Sequence, residues 1–287
     1  MKILIFGSGF GLYGYLPAIY KISKQIYLNL KYKNFFYSRD DLKPFRRKIT
    51  WYKDLDKIFK IVDILIIARR PSDQHNLLKK KLVYKNKIKH LFLEKPLSNT
   101  PKKSLLLENI IKKYKKSYSV FYIFKFLPWY KKIKNISKKK NKKISINWLI
   151  SNSKSNSWKF AKTKGGGVIR FYGIHFIKMC FDLNFNKILY NKFNKKLSIW
   201  NLKIADKNNN LITFKINSFS KKNLFQIKLE NKIIFKHVNP FNKKIIPNIE
   251  DPRVKYIKKY ILINLKKRSK IQNNNNFFKF WDKCERA

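Results

Sequence analysis

A glycine-rich segment near the N-terminus combines residue types that suit anion binding. Four glycines lie within residues 7–14, directly after the apolar run of residues 2–6. Glycine lets the backbone approach a ligand closely, because it has no side chain to hold the ligand away. A helix that starts at such a loop also presents N–H donors and a partial positive charge. The segment is therefore typical of a loop that holds the pyrophosphate of a dinucleotide.

The glycines fit the dinucleotide pattern G-x-G-x-x-G in two registers. Gly9, Gly11 and Gly14 match it in full, whereas Gly7 and Gly9 with Leu12 match it without the third glycine. The second register leaves the shorter gap after the strand, as a tight turn requires. The pattern alone is weak, and a glycine-rich turn of another strand–helix unit is the alternative.

Two further segments combine a titratable side chain with a proline or with glycines. The apolar run HLFL ends in Glu94-Lys95-Pro96, and the carboxyl end of a strand is where an open α/β sheet holds its ligands. His175 follows the three glycines of residues 165–167. Taken alone, His175 is more typical of a buried helix than of a site, because apolar residues surround it.

The first 125 residues alternate between strand and helix patterns. The predicted strands are residues 2–6, 62–68, 90–96 and 119–124, with an extended run over 26–37. The predicted helices are 12–24, 54–60, a segment after Ser72 or Asp73 as the cap, and 101–116. This alternation predicts a doubly wound parallel sheet, the Rossmann arrangement, in an α/β protein.

The second part of the chain, residues 126–287, has a different pattern. A strand is predicted at 142–150, a helix at 165–181, and a terminal helix at 253–267 before an asparagine-rich hinge at 273–276. Alternating apolar and polar segments follow one another at 197–205, 211–219, 224–230 and 232–238. They predict a second α/β domain with an open, mainly antiparallel sheet.

Composition limits the classes of function. The chain has 287 residues and a formal net charge of +53, and only nine of its 68 basic residues are arginine. Asparagine, isoleucine and phenylalanine are frequent while glycine and proline are scarce, which is typical of A/T-rich codons. We interpret the charge as lysine spread over the surface. The alternative is a nucleic-acid interface, but such interfaces favour arginine, so no specific nucleic-acid partner is expected.

Cysteine content and hydropathy exclude further classes. Cys180 and Cys284 are too few for a disulfide framework or a structural zinc site, and no metal-binding cluster is visible. No apolar stretch approaches the ~18 residues that cross a bilayer. Glycines interrupt the N-terminal apolar run, which argues against a signal peptide. We therefore expect a cytoplasmic protein with no membrane partner.

Taken in order, several motifs resemble one family. The chain is similar to the glucose–fructose oxidoreductase and inositol dehydrogenase type (Gfo/Idh/MocA) of NAD(P)-dependent oxidoreductases. The resemblance spans residues 1–175. The matching segments are GSGFGLYGYLPA (7–18), YSRD (37–40), VDILIIARRPSDQH (62–75), HLFLEKPLSNT (90–100), FKFLPWY (124–130) and GGGVIRFYGIH (165–175).

The resemblance implies a fold and two catalytic residues. The fold would be a Rossmann domain followed by an α/β domain with an open sheet. Lys95 would lie near nicotinamide and substrate, where its ammonium could hydrogen-bond the reacting oxygen. His175 would be the general base in alcohol oxidation or the general acid in carbonyl reduction, and its ordinary pKa of ~6.5 suits both directions.

The resemblance also implies two sets of binding residues, with departures from the family pattern. The expected coenzyme-binding residues are Gly7, Ser8, Gly9, Phe10, Gly11, Ser38, Arg39, Arg69, Pro71, His75, Glu94, Lys95 and Pro96. The expected substrate-binding residues are Lys125, Trp158, Phe171 and His175. Phe171 stands where many relatives carry aspartate, and Lys125 stands where arginine is common. Loss of that carboxylate indicates a different substrate, different chemistry or a degenerate site.

The choice of coenzyme depends on the end of the second strand. An acid there accepts the ribose hydroxyls of NAD, and an arginine accommodates the 2′-phosphate of NADP. Ser38-Arg39-Asp40 offers both, and Arg39 with Ser38 favours NADP over NAD. The alternative is that Arg39 stacks on adenine and decides nothing.

These observations predict an oxidoreductase that moves hydride between nicotinamide and a sugar or nucleotide-sugar substrate, with a role in sugar or surface-polysaccharide synthesis. The alternative is a binder of dinucleotide or sugar without catalysis, which Phe171 favours. A homo-oligomer is expected, with the exposed face of the C-terminal sheet as the subunit contact.

Overall fold

The computed structural model describes residues 1–82, 87–151, 157–194, 198–241, 243, 246, 249–266 and 273–286. The chain divides into two compact units. The first comprises residues 1–98, 103–121 and 245–273, and the second comprises 99–102, 122–244 and 274–287. These units differ from the predicted division at residue 125, because residues 99–102 and 122–125 group with the second unit and residues 245–273 group with the first.

Strands and helices alternate along the first part of the chain. The elements are β1 (Lys2–Phe6), α1 (Leu16–Ile19), β2 (Gln25–Asn29), α2 (Lys33–Tyr37), β3 (Ile49–Tyr52), α3 (Leu55–Phe59), β4 (Ile64–Ile67), α4 (Pro71–Lys81), β5 (His90–Leu93), α5 (Pro101–Lys113) and β6 (Ser117–Val120). A π-helical turn, Gly11–Tyr15, leads into α1. Asp54 caps the short helix α3, since its carboxylate accepts from the N–H groups of Asp56 and Lys57.

The six strands form one parallel sheet in the order β3-β2-β1-β4-β5-β6. The sheet confirms the predicted Rossmann arrangement. Strands β4 and β5 are buried at every position, as expected for parallel strands covered on both faces. Because all strands run the same way, the segments that follow β1, β4 and β5 share one edge of the sheet. That edge carries the glycine loop and Glu94-Lys95-Pro96.

The second unit contains a helix-backed sheet. Its elements are α6 (Pro128–Ile136), β7 (Lys143–Leu149), α7 (Ile174–Asp182), β8 (Lys187–Phe193), β9 (Ile199–Ala205), β10 (Leu211–Asn217), β11 (Leu224–Leu229) and β12 (Lys232–His237). The strand order is β12-β11-β7-β10-β9-β8. All neighbours are antiparallel except β7 and β10, so the sheet is mainly antiparallel, as predicted.

Two C-terminal helices complete the units. Helix α8 (Val254–Lys266) belongs to the first unit, and α9 (Asn275–Glu285) belongs to the second. The ring of Tyr260 in α8 packs 5.6 Å from Phe92 and 4.8 Å from Phe121, measured between centroids. The Ser119 hydroxyl donates to Asn264 at 2.9 Å. Helix α8 therefore covers part of the parallel sheet. The predicted hinge at 273–276 is partly wrong, since α9 begins at Asn275.

The extended run predicted over 26–37 is wrong beyond residue 29. Strand β2 ends at Asn29, and a 3-10 turn and α2 follow it. Tyr32 and Phe36 are buried and stand four residues apart, which is the spacing of one helical face. Ser38 and Arg39 consequently lie after α2 and not at the end of the second strand.

Three predicted boundaries are also corrected. The helix after the glycine loop ends at Ile19 rather than at 24. Helix α4 begins with Pro71 at its first position, so Ser72 and Asp73 lie inside its first turn and do not cap it. Strand β6 starts at Ser117, before the predicted run of 119–124. Among the described residues, no helix has the length and apolar character needed to cross a membrane.

Candidate functional site

The glycine loop is built by three glycines that meet different neighbours. Gly7, with φ +150°, directly follows β1, and a Cβ there would lie 2.3 Å from the carbonyl oxygen of Ala68. A Cβ on Gly9 would meet no described atom within 4 Å, so the backbone is open at this point. A Cβ on Gly11 would lie 3.1 Å from Ile5, where the helix packs on the strand. This geometry favours the register that starts at Gly7.

The uncovered backbone at Gly9 suits a pyrophosphate, because phosphate oxygens must reach backbone N–H groups. Ser8 is half-buried in the same loop. Phe10 does not project freely, since its ring occupies the space where a Cβ on Gly14 would lie, 2.5 Å away. The loop residues predicted from the sequence therefore divide into an open part, at Ser8 and Gly9, and a packed part, at Phe10 and Gly11.

A cation from the C-terminal segment lies on Phe10. The guanidinium carbon of Arg253 is 4.3 Å from the centroid of that ring. Arg253 is held by Asp251, whose two oxygens accept from Nε at 2.8 Å and from Nη2 at 2.6 Å. Sequence reasoning missed both residues, because nothing local to residues 251–253 indicates a neighbour at residue 10.

The second-strand region shows how the arginine predicted to select NADP is used. Arg39 donates from Nε and Nη2 to both oxygens of Asp41, at 3.0 and 2.7 Å. Its guanidinium also lies 5.1 Å from the centroid of Tyr13, beside the glycine loop. Ser38 donates to the carbonyl of Phe35. The residue that ends β2 is Asn29, whose side chain accepts from the N–H of Lys31 at 3.1 Å. The fork of Arg39 is thus already bound to a carboxylate.

The turn after β4 carries two further arginines. Arg69 and Arg70 both pair with Asp73, at 3.3 and 3.0 Å. One carboxylate therefore serves two guanidinium groups, and these three side chains together carry one net positive charge. Pro71 opens α4 and has no N–H to offer an anion.

Gln74 organises the backbone around Lys95. Its side chain is fully buried and donates from Nε2 to the carbonyls of Glu94 and Leu97, at 3.0 and 2.9 Å. Its Oε1 accepts from the N–H of Glu94 at 3.0 Å. These bonds bracket the cis peptide between Lys95 and Pro96. Gln74 therefore clamps the turn through three hydrogen bonds, and no sequence motif identified this residue.

Glu94 and His75 support the same turn. The Tyr15 hydroxyl donates to Glu94 at 2.8 Å. Burial raises the pKa of the Glu94 carboxyl, while the charge of Lys95 opposes that shift. His75 shares a hydrogen bond of 3.0 Å with Ser98, and burial lowers its pKa. Each of these side chains is engaged in a hydrogen bond. Both hold the loop.

In the second unit, the triple glycine folds tightly on the chain before it. A Cβ on Gly166 would lie 2.5 Å from the carbonyl oxygens of Trp158 and Lys159. Gly165 and Gly167 have φ angles of 85° and 95°, which glycine adopts without strain. The loop therefore requires glycine at each position, and it leads directly into the π-helical turn Val168–Gly173 and α7.

His175 lies in the first turn of α7 and is 7% exposed. Its ring stacks on Phe124, with centroids 4.4 Å apart and planes 23° apart, and meets the edge of Tyr122 at 6.3 Å. A Cβ on the neighbouring Gly173 would collide with Trp200, at 2.6 Å. The ring of Phe124 on one side and the close packing of Gly173 on Trp200 on the other hold the imidazole in place.

Phe171, which stands where many relatives carry aspartate, is part of an aromatic cluster. The ring of Phe171 lies 5.4 Å from Trp158 and 4.8 Å from Tyr172, and the Lys159 ammonium is 5.5 Å from its centroid. Phe171 is only partly buried. The cluster offers an apolar face and a cation where a carboxylate would offer hydrogen-bond acceptors. Lys125 is exposed, with its ammonium 5.1 Å from the Phe126 ring.

A buried ion pair holds the C-terminal helix of the second unit to the same loop. Arg170 donates from Nε and Nη2 to both oxygens of Glu285, at 2.7 and 2.6 Å, and from Nη1 to the carbonyl of Lys162. Trp281 also donates to Glu285, at 2.9 Å. The helix turn before His175 is thereby tied to α9. The described residues contain no group of acids, histidines and cysteines that could hold a metal ion.

Comparison with known proteins places this geometry in context. A family model described as an oxidoreductase family with an NAD-binding Rossmann fold (GFO_IDH_MocA) matches residues 1–122. A search of curated proteins finds no match.

Solved structures match nearly the whole chain. The WlbA (WbpB) dehydrogenase of Thermus thermophilus, solved with NAD and UDP-GlcNAcA, is 12% identical with a TM-score of 0.73, over 98% of this chain and 94% of that one. UDP-N-acetylglucosamine 3-dehydrogenase GnnA of Acidithiobacillus ferrooxidans is 12% identical with a TM-score of 0.70, over 99% and 95%. A myo-inositol dehydrogenase of Corynebacterium glutamicum is 12% identical with a TM-score of 0.67, over 99% and 95%. These similarities show a shared fold.

Proposed function

We propose that the protein is an NAD-dependent dehydrogenase that acts on a CH–OH group of a sugar or nucleotide sugar. The match of residues 1–122 to the oxidoreductase family with an NAD-binding Rossmann fold supports this proposal. The observation that carries this proposal is one edge of the parallel sheet. There the open backbone at Gly9 and the clamped Lys95 both follow carboxyl ends of strands.

The residues at this edge fit a dinucleotide. The loop Gly7–Gly11 would hold the pyrophosphate through backbone N–H groups, and the unbalanced charge of Arg69 and Arg70 would attract it. A bound nicotinamide coenzyme supplies or accepts the hydride. The protein contributes the orientation, because Gln74 and Tyr15 immobilise the turn that carries Lys95.

Lys95 and His175 take the two polar roles of the reaction. The Lys95 ammonium hydrogen-bonds the reacting oxygen and stabilises negative charge that develops on it. His175 accepts the hydroxyl proton during oxidation and returns it during reduction. Its stacking on Phe124 keeps the ring in one orientation, so the proton moves along a defined direction.

We propose NAD rather than NADP as the coenzyme. The preference for NADP rested on Arg39, but Nε and Nη2 of that guanidinium already donate to Asp41. The neighbouring residue that ends β2 is Asn29, which carries no positive charge. The WlbA structure of Thermus thermophilus contains NAD, which is consistent with this assignment.

The aromatic cluster around Phe171 indicates how the substrate would bind. Trp158 and Phe171 offer an apolar surface to a sugar ring, with their own ring planes 84° apart, and Lys159 adds a positive charge. An anionic sugar, such as a nucleotide sugar or a sugar acid, satisfies both features. The named ligand of the WlbA structure, UDP-GlcNAcA, has this character.

The test is a coenzyme-dependent change in nicotinamide absorbance across a panel of sugars, sugar acids and nucleotide sugars. We expect turnover with an anionic member of the panel. Lys95→Ala should lower kcat/KM by about 10², whereas the matched change Lys79→Ala, at an exposed position of α4, should leave it unchanged. Full turnover by Lys95→Ala would refute the assignment.

The second candidate is a protein that binds dinucleotide or sugar without catalysis, and Phe171 in place of aspartate is the observation that favours it. Tight NAD binding without turnover across the whole panel would select it. Self-association through the exposed face of the second sheet and a cytoplasmic location also stay predictions. Light scattering and cell fractionation test them.

A further inference from the structure

A cationic cavity lies on the first unit, in the segment between α2 and β3. Residues Asp40–Lys48 form a run of 3-10 turns there. The cavity has a volume of about 470 Å³, and its lining consists of Tyr20, Asp40, Lys43, Pro44, Arg46 and Arg47. None of these residues belongs to the glycine loop or to the turn around Lys95.

The cavity is at the opposite edge of the parallel sheet from the coenzyme loop. Tyr20 directly follows α1, and Arg47 stands just before β3, so both lie near the amino ends of the strands. Lys48 connects the 3-10 run to the segment after α1, because its ammonium donates to the carbonyls of Tyr20 and Ser23, each at 2.9 Å. The glycine loop instead follows the carboxyl end of β1.

The use of arginine in this chain makes the cavity unusual. Lysine provides nearly all of the basic residues, and nine arginines are present, of which Arg268 lies outside the described residues. Six of the other eight pair with a carboxylate: Arg39, Arg69, Arg70, Arg170, Arg253 and Arg286. Within the described part of the chain, Arg46 and Arg47 have no carboxylate partner. These two are adjacent, exposed and line one cavity.

We propose that this cavity binds a small ligand that carries a phosphate group. The guanidinium fork matches phosphate oxygens in a bidentate manner, and Arg46 and Arg47 bring two such forks to the lining of one cavity, which suits a dianion. The acidic lining residue, Asp40, is held by Lys43 at 2.6 Å, so its charge is balanced. The ring of Tyr20, packed against Phe45 with centroids 5.1 Å apart, forms an aromatic wall beside the cations.

The experiment is calorimetric titration of inorganic pyrophosphate into the full chain at physiological ionic strength, with and without saturating NAD. We expect saturable binding that NAD does not abolish, because the coenzyme loop is at the other edge. Arg46→Gln/Arg47→Gln should weaken this binding at least tenfold. The matched control Lys131→Gln/Lys132→Gln removes two exposed charges from α6 and should leave the affinity unchanged.

Three results would overturn the proposal. The first is equal affinity in the Arg46→Gln/Arg47→Gln variant and the natural chain. The second is an equal loss in the control variant, which would show attraction by net charge alone. The third comes from Arg46→Lys/Arg47→Lys, which keeps the charge and removes the forks. It should bind at least threefold more weakly, and undiminished binding would exclude guanidinium recognition.

Discussion

Acidification should destabilise the first unit through one buried histidine. His90 opens β5, is 5% exposed, and is hydrogen-bonded to the hydroxyls of Ser117 and Ser119 on the neighbouring strand. Burial lowers the pKa of His90 to about 4. In the unfolded chain a histidine has its ordinary pKa of ~6.5. Between these two values the unfolded chain therefore binds a proton that the folded protein excludes.

The direction and size of the pH effect on stability follow from the difference in proton binding between the unfolded and folded states. Stability is complete above pH ~6.5, falls as the pH drops towards 4, and levels off below it. At pH 5, about 1.5 units below the unfolded pKa, the unfolded imidazole is almost fully protonated and the folded one is not. One unit corresponds to 1.36 kcal/mol, so the loss between pH 7.5 and pH 5 is about 2 kcal/mol.

The assay is urea unfolding at both pH values, for the natural chain and for His90→Asn. Other titrating groups contribute equally to both proteins, so the difference between the two pH dependences isolates His90. We expect the variant to be less stable at pH 7.5, because its hydrogen bonds change, but to lose about 2 kcal/mol less on acidification. The half-exposed His237, changed to Asn, is the control. Identical pH dependences for the natural chain and His90→Asn would refute the reasoning.

Three further outcomes test the coenzyme edge. Gln74→Ala should destabilise the protein by about 1–3 kcal/mol and lower kcat/KM, because backbone groups around Lys95 lose buried partners; thermal unfolding and steady-state kinetics measure both. Gly7→Ala should abolish cooperative unfolding or shift it sharply, whereas Gly9→Ala should leave the melting temperature unchanged and weaken NAD binding. An equal effect of the two alanines would contradict the assigned register. Asp41→Asn should release the fork of Arg39 and raise NADP affinity relative to NAD, and titration with both coenzymes would show an unchanged ratio if this idea is wrong.

The strands that sequence reasoning found have either a continuous apolar run or a clear alternation of apolar and polar residues. The four residues ILII of β4 are all apolar and buried, and β9 and β10 alternate buried with more exposed positions. Strands β3 and β8 escaped for physical reasons. Both are edge strands with few buried side chains, since only Tyr52 of β3 is buried and every residue of β8 is exposed or half-buried. Such segments become strands because a neighbour offers hydrogen bonds, which no local pattern records.

The segment KNFFY shows the limit for helices. Its aromatic residues suit a strand by propensity, and only the burial of one ring per turn distinguishes the helix. That single error moved Arg39 to the wrong place and produced the preference for NADP.

Some residues of the candidate site can be recognised from short motifs, and others are determined by contacts with residues far away in the sequence. Gly7, Gly9 and Lys95 are visible in short motifs, because backbone geometry at a turn restricts the residue types that fit. Gln74 and Arg253 are not visible. Gln74 reaches residues 20 and 23 positions away, and Arg253 reaches the glycine loop from near the end of the chain. Their identities are dictated by tertiary contacts alone.

The return of residues 245–273 to the first unit has a consequence for synthesis. During translation, the parallel sheet emerges long before α8, whose Tyr260 and Asn264 cover Phe92, Phe121 and Ser119. A nascent chain cut anywhere within the second unit would leave that apolar surface open to water. We therefore expect ribosome-bound intermediates to recruit chaperones until α8 has left the exit tunnel, and split-gene fragments that lack α8 to need it supplied in trans.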